Sequence, residues 1–365
     1  MNLAVYPLLK KLKIILKILS CKKNLQFNYS GFIIGDTYDI RPITKEDIVS
    51  EDIIHKAFYA SVLIETKLKN KQRKLCSGVL GVIDNVAIYS SPVIITNYHC
   101  FLSISSTQKN PILGNIIAEA CHNTYVYFGV YKNNIDNIMQ LTCDPKTFRF
   151  SKEGDIALFQ TKEPIPDQFK PIKITQSQNL LDYTNKPIII VHYSLANPQS
   201  MIETKNFGYL PYASLTSHNC QTSQLFPKQL WYAYLPIQHS VEHTCDILEG
   251  SSGAGLININ SKELIGINWG GIEIQVSNNV QAINGATRSD FILALLTNQI
   301  DAIKIKESEY YDNQSQNNQN TKNKLIKCAT CCITTNINTL YHSVASMILF
   351  IIPVLYLLIF RKSKS

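Results

Sequence analysis

Three short segments of this chain carry side chains that could share one reaction. His99 stands near the end of an apolar run, VIITNYHCF (93–101). Asp155 opens the run in GDIALF (154–159). Ser252 lies among small residues in CDILEGSSGAGLI (245–257). A serine hydroxyl is a poor nucleophile at neutral pH and needs a base within hydrogen-bond reach. Imidazole suits that task, because its unperturbed pKa is about 6.5. A carboxylate on the other ring nitrogen holds the tautomer and stabilises the imidazolium that forms. A glycine two residues before the serine can take the backbone angles that turn the N–H groups of Gly250 and Ser252 toward a developing oxyanion. The chemistry this set could perform is acyl transfer. Ser252 is the nucleophile, His99 the general base and acid, and Asp155 the orienting carboxylate. Water then hydrolyses the acyl-enzyme, and no cofactor or metal is required.

The elements that would position these residues are short. Apolar runs at 60–64, 78–83, 125–131, 156–159, 188–193, 231–235 and 264–269 are rich in Val, Ile and Tyr and are broken by polar turns, which reads as strands. Many short strands without long intervening helices predict an all-β barrel or sandwich. One helix is expected after a Ser289/Asp290 cap, where Phe291, Leu293, Leu295, Leu296, Ile300 and Ile303 form a rough stripe. The chain order His, Asp, Ser is that of the chymotrypsin-type arrangement, and differs from the subtilisin and α/β-hydrolase orders.

On these residues the chain resembles the trypsin-like serine peptidases of the chymotrypsin double-barrel fold. TNYHC resembles the family's TAAHC, and GDIAL its DIAL. GSSGAG stands where the family has GDSGGP or GNSGSP. LIGINWGG (264–271) resembles the strand ending SWG or HWG that lines the primary specificity pocket. DILEGSSG and INWGG lean toward the glutamyl-endopeptidase branch. The resemblance covers roughly 55–305. It implies two six-stranded β-barrels, at 55–175 and 176–305 with a C-terminal helix in the second, and an active site in the cleft between them. Residues 1–54 are then a basic segment and possible propeptide.

The departures from the family pattern have consequences. In the pancreatic branch an Asp precedes the nucleophile and pairs with a newly cut N-terminus. Here that position is Ser251, so no such ion pair can form. Phe32-Ile33-Ile34-Gly35 mimics an activation site and is read as coincidence, or as a propeptide cut without the usual switch. Gly255 replaces the family's proline. Asp246 lies six residues before Ser252, the spacing of the pocket-floor Asp that selects Arg or Lys in trypsin. The glutamyl branch often carries an Asp there too, without basic preference, and this chain has Asn268 where glutamate selection wants a His. The substrate-binding set is therefore Asp246 with the pocket wall Asn268, Trp269 and Gly270.

The chain has ten cysteines. The resemblance places Cys76 and Cys100 in the disulfide beside the catalytic His. Cys121 with Cys143, and Cys220 with Cys245, are plausible further pairs whose connectivity the sequence leaves open. Disulfides need an oxidising compartment. Cys328, Cys331 and Cys332 (CATCC) receive no role.

The net charge of +8 sits at the two ends. Residues 1–23 carry six lysines and 361–365 three bases. The remaining chain has 26 bases against 27 acids, which argues against a nucleic-acid face. Residues 344–360 are an apolar run without charged residues, with Ser346 and Pro353 inside it, followed by Arg361, Lys362 and Lys364. This predicts a transmembrane helix with its basic tail in the cytoplasm. A linker at 306–343, including YDNQSQNNQNTKN, precedes it. Leu8, Leu12, Ile15, Leu16 and Leu19 share a helical face, but Lys13 and Lys17 interrupt the run a secretory signal needs. Signal, surface helix and start-site artefact all stay open. The expectation is a single-pass membrane serine endopeptidase. Its body would lie outside the cytoplasm or in the secretory lumen. Its partners would be a protein or peptide substrate and, through the C-terminal helix, membrane lipid. The rivals are an inactive binding module on the same fold and an acyl hydrolase or esterase.

Overall fold

A computed structural model describes residues 27–28, 32–34, 39–67, 73–83, 92–102, 119–132, 134, 136–177, 179–195, 201–226, 239–276 and 279–300. Nearly all belong to one compact unit, 26–274 with 282–311; a second unit takes 1–25, 275–281 and 312–365. The run at 344–360 and the stretch at 231–235 lie outside the described residues. Among the described residues, no helix is long and apolar enough to cross a membrane.

The described residues are mostly β-sheet with few helices. In order they form β1 (Phe27–Asn28), β2 (Arg41–Pro42), α1 (Lys45–Ser50), α2 (Asp52–Ala60), β3 (Ser61–Lys67), β4 (Arg73–Val82) and β5 (Val93–Asn97). Then come β6 (Thr124–Phe128), β7 (Met139–Thr142), β8 (Arg149–Ser151), β9 (Ile156–Phe159) and β10 (Ile172–Lys173). The second half carries β11 (Ile188–Tyr193), β12 (Met201–Thr204), β13 (Gly208–Pro211), β14 (Ala213–Thr216), β15 (Thr222–Leu225) and β16 (Ser240–His243). It closes with β17 (Gly255–Asn258), β18 (Leu264–Val276), β19 (Asn279–Arg288) and α3 (Ser289–Thr297).

An eight-stranded sheet runs β7-β6-β3-β4-β5-β9-β8, with β10 parallel to β4. A nine-stranded sheet runs β15-β16-β19-β18-β17-β11-β14-β2, with β1 on β18. This architecture is consistent with a chymotrypsin-like fold. These two sheets hold more than six strands each, with the two-residue pieces β1, β2 and β10 among them. Strands β9 and β11 fall on the expected residues, and most others run a few residues past the apolar stretch. Backbone pairing continues there through residues such as Lys74 and Thr66.

Residues 39–54, part of the stretch read as a basic segment and possible propeptide, pack into the core of the body. Ile43, Ile48 and Ile54 are buried in one core cluster with Val79 and Ile95 of the first sheet and Ile189 and Leu215 of the second. Each such buried side chain contributes about 2 kcal/mol relative to exposure. Helix α1 starts at a capping box: Thr44 Oγ1 accepts from the Asp47 N–H, and Asp47 accepts from the Thr44 N–H at 2.9 Å. Helix α2 then lays Ile54, Ala57 and Phe58 into the same cluster.

The C-terminal helix differs in its start and in its end. Ser289 is its first residue and makes no cap. Asp290 instead holds the buried Arg288 guanidinium with both oxygens and accepts from the Phe291 N–H. The helix stops at Thr297, where Asn298 takes a left-handed conformation, φ 58°.

Candidate active site

His99 sits in a short 3₁₀ turn (Tyr98–Phe101) at the end of β5, and Asp155 directly precedes β9. Strands β5 and β9 pair antiparallel, with Asn97 opposite Ile156, so the two residues must meet. Asp155 Oδ2 lies 2.6 Å from His99 Nδ1, and Oδ1 accepts from the His99 backbone N–H at 2.9 Å. The Asp155 carbonyl accepts from Tyr98 N–H and from Asn97 Nδ2. Asp155 reaches this position with φ 51°, a left-handed conformation that Asp tolerates better than most residues. Gly154 before it is required by packing, since a Cβ there would lie 2.2 Å from the Phe291 ring. Both partners are buried, with 8% of His99 and 3% of Asp155 exposed. A carboxylate on Nδ1 fixes the tautomer and orientation of the imidazole.

Ser252 arrives from the second sheet. Its carbonyl accepts from the Ser77 N–H of β4 at 2.8 Å. Cys76, the neighbour of Ser77, is bonded to Cys100, the neighbour of His99. The serine loop is thereby set against the strand beside the His99–Asp155 pair. Among the described residues no hydrogen bond joins Ser252 Oγ to the His99 ring. Such pairs commonly lengthen when no substrate is bound.

The loop shape depends on two glycines. Gly250 has φ 93°, and a Cβ there would lie 2.3 Å from the Tyr193 carbonyl. Gly253 has φ 90°, and a Cβ would lie 2.0 Å from the Ser77 carbonyl. Among the described residues, no backbone acceptor is bonded by the N–H of Gly250 or of Ser252. These are the two donors expected to face an oxyanion.

Two residues near this site escaped the sequence reading. Lys74 donates to the His99 and Leu102 carbonyls. Burial pulls its pKa down to about 8, against the upward pull of the Asp155 charge. Its only sequence signal was its place two residues before Cys76. His192 lies wholly buried under the serine loop, with Nδ1 2.9 Å from Ser251 Oγ and Nε2 3.3 Å from Thr216 Oγ1. Burial pushes its pKa down to about 4, so it is neutral.

The expected pocket residues divide. The Asn268 side chain is fully buried, donating to the Ser251 carbonyl and facing His243 Nε2 at 3.1 Å. The Trp269 ring is also fully buried; its Nε1 donates to Ser240 Oγ. Both strand faces are covered here, so this stretch can offer a ligand its backbone but not these two side chains. Gly270 has φ 129°. Asp246 is 2% exposed, and its carboxylate accepts from the backbone N–H groups of Ile34 at 2.7 Å and Asp39 at 3.1 Å.

Six cysteines form three disulfides: Cys76–Cys100, Cys121–Cys143 and Cys220–Cys245. Among the described residues, Cys76, His99 and Cys100 are the group close enough to hold a metal. Their sulfurs are joined to each other and offer no thiolate.

A family model, the trypsin-like peptidase domain, matches residues 76–267, just over half of the chain. The chain belongs to the trypsin-like peptidases. No curated protein matches it. For a trypsin-like peptidase the matched span is informative, since it runs from Cys76 through His99, Asp155 and Ser252 to the strand at Ile267. Family membership supports a peptidase acting on protein substrates.

Proposed function

We propose that this peptidase is a serine endopeptidase in which Ser252 attacks the scissile carbonyl, His99 moves the proton and Asp155 orients the imidazole. The observation that carries the reading is the buried His99 Nδ1–Asp155 Oδ2 contact of 2.6 Å at the junction of β5 and β9. The N–H groups of Gly250 and Ser252 stabilise the oxyanion. Asp246 and the backbone of 268–270 receive the substrate. The two halves of the body are the two barrels of the chymotrypsin fold. The lean toward the glutamyl-endopeptidase branch rests on DILEGSSG and INWGG. A fluorophosphonate probe tests the reaction. It should label the native protein and not Ser252→Ala, and casein hydrolysis should fall by roughly three orders of magnitude or more in that variant. Wild-type hydrolysis by Ser252→Ala sinks the assignment. An inactive binding module would take no label at all.

We further propose that residues 344–360 anchor the protein in a membrane with the body on the oxidising side. The apolar run with its basic flank supports this, and so do the three disulfides. In unreduced, denatured protein from cells, the six bridged cysteines should resist alkylation, and protease added to intact cells should reach the body. Free alkylation with a protected body would mean a cytosolic, tail-anchored arrangement.

A further inference from the structure

Stretches of the chain's own N-terminal part lie against Asp246 and along β18. Strand β19 borders one edge of β18. The other edge is bordered first by β17, as far as Ile267, and then by the serine loop, where Gly253 N–H donates to the Asn268 carbonyl. Beyond that, β1 takes up the edge: Phe27 and Asn28 lie antiparallel to Ile272 and Gly271. An extended peptide adds to a sheet edge by these same bonds.

A few residues on, the chain is gripped by side chains of the second sheet. Phe32 N–H donates to Asn284 Oδ1 at 2.9 Å. Asn284 Nδ2 returns a bond to the Phe32 carbonyl at 2.7 Å, and the same carbonyl accepts from the Ile247 N–H at 3.2 Å. The Phe32 ring presses on Gly271 so closely that a Cβ there would lie 2.4 Å from it. Asp246 then takes the N–H groups of Ile34 and Asp39. An amide matched by both its donor and its acceptor, together with a buried carboxylate satisfied by two backbone donors, forms a built peptide-binding site. With those bonds made, a substrate side chain cannot reach the Asp246 carboxylate.

We infer that residues 27–28 and 32–34 are a built-in competitive occupant of this peptidase's own specificity pocket, held by β18, Asn284, Ile247, Gly271 and Asp246, and that their release opens the enzyme to substrate. The inference rests on the peptidase reading above. Its ligand class is an extended peptide backbone with an aromatic side chain lying on Gly271. Affinity for an outside substrate is reduced in proportion to the fraction of molecules whose pocket is open.

The test uses the full chain with residues 35–38 replaced by the recognition sequence of a site-specific endoprotease, cut after purification in the folded state. A small fluorophosphonate, which needs the nucleophile but little of the pocket, should label cut and uncut protein alike. Peptide hydrolysis should rise on cutting by about tenfold or more in kcat/KM, chiefly through KM. A synthetic peptide of residues 26–36 should then inhibit the cut enzyme competitively, and Phe32→Asp should activate the uncut chain. Equal hydrolysis by cut and uncut forms that both label fully overturns the inference. If neither form labels, the peptidase reading fails, and binding of the fluorescent 26–36 peptide to cut Ser252→Ala protein decides the docking alone. Absence of anisotropy change there overturns it.

Discussion

Ser251 Oγ and His192 Nδ1 lie 2.9 Å apart beneath the loop that carries Ser252. The Leu248 N–H donates to the same hydroxyl. The far side of the imidazole faces Thr216 Oγ1, which in turn donates to the Asp246 carbonyl. A neutral, buried chain of hydrogen bonds therefore occupies the place where the pancreatic branch is expected to use a carboxylate and a new N-terminal amine.

This network makes the fold acid-sensitive. The His192 pKa is lowered to about 4 by burial, while the unfolded chain titrates near 6.5. Between those values the unfolded state binds more protons, so stability falls as pH drops from about 6.5 toward about 4. The loss is on the order of 3 kcal/mol at the acid end. His243, also buried and lowered to about 4, acts in the same direction. Urea midpoints measured from pH 7.5 to pH 5 should decline, and His192→Gln should flatten the decline. A flat wild-type profile would show that His192 stays solvated.

Activity should not depend on a free α-amino group at a newly cut end. Ser251 offers no charge to bind one. Acetylating the new N-terminus of the cut enzyme should leave kcat unchanged. A large loss would mean that an ion pair forms elsewhere in the loop.

Docking of the N-terminal segment should tighten in mild acid. The Asp39 carboxyl is raised to about 6, first by burial, then by the neighbouring Asp246 carboxylate; His218 pulls the other way. Its Oδ1 is buried without a partner among the described residues, and a proton there would give it one. Because the folded group binds its proton above the usual range, docking is favoured below about pH 6 and weakens as pH rises from about 4 through 6. Uncut enzyme should gain peptidase activity between pH 5 and 7.5 more steeply than cut enzyme. Asp39→Asn should remove the difference in slope.

Gly253→Ala should abolish probe labelling while the rest of the body stays folded. The added Cβ meets the Ser77 carbonyl and Thr96 Oγ1 at 2.0 and 2.2 Å, and φ is 90°. The loop must shift away from His99. Near-native circular dichroism with no label at Ser252 is the expected result, and full labelling would refute the contact.

Much of the site was legible because the chemistry dictates residue types at strand ends. His99 and Asp155 each border a short apolar run, and pairing of those runs brings the two together. The pocket was less legible. Asp246 is satisfied by backbone groups 212 and 207 residues away, and a backbone N–H leaves no mark in a sequence. Trp269 and Asn268 looked like a pocket wall because the motif was read without knowing that both faces of β18 are covered. The capping box at Thr44 and Asp47 is a readable local signal for the start of α1. The run at 344–360 rests on the sequence alone, being outside the described residues.

Ser77 ties β4 to β11 and to the loop that carries Ser252. It gives its N–H to Ser252 and its hydroxyl to the Gly250 carbonyl, and it accepts from Tyr193 N–H and from Thr96 Oγ1. Three of these four bonds cross to β11 and the serine loop, and once they break the nucleophile loop has lost its template. The body should therefore melt as one cooperative transition, and two halves expressed apart and mixed should regain probe labelling only as fast as they reassociate.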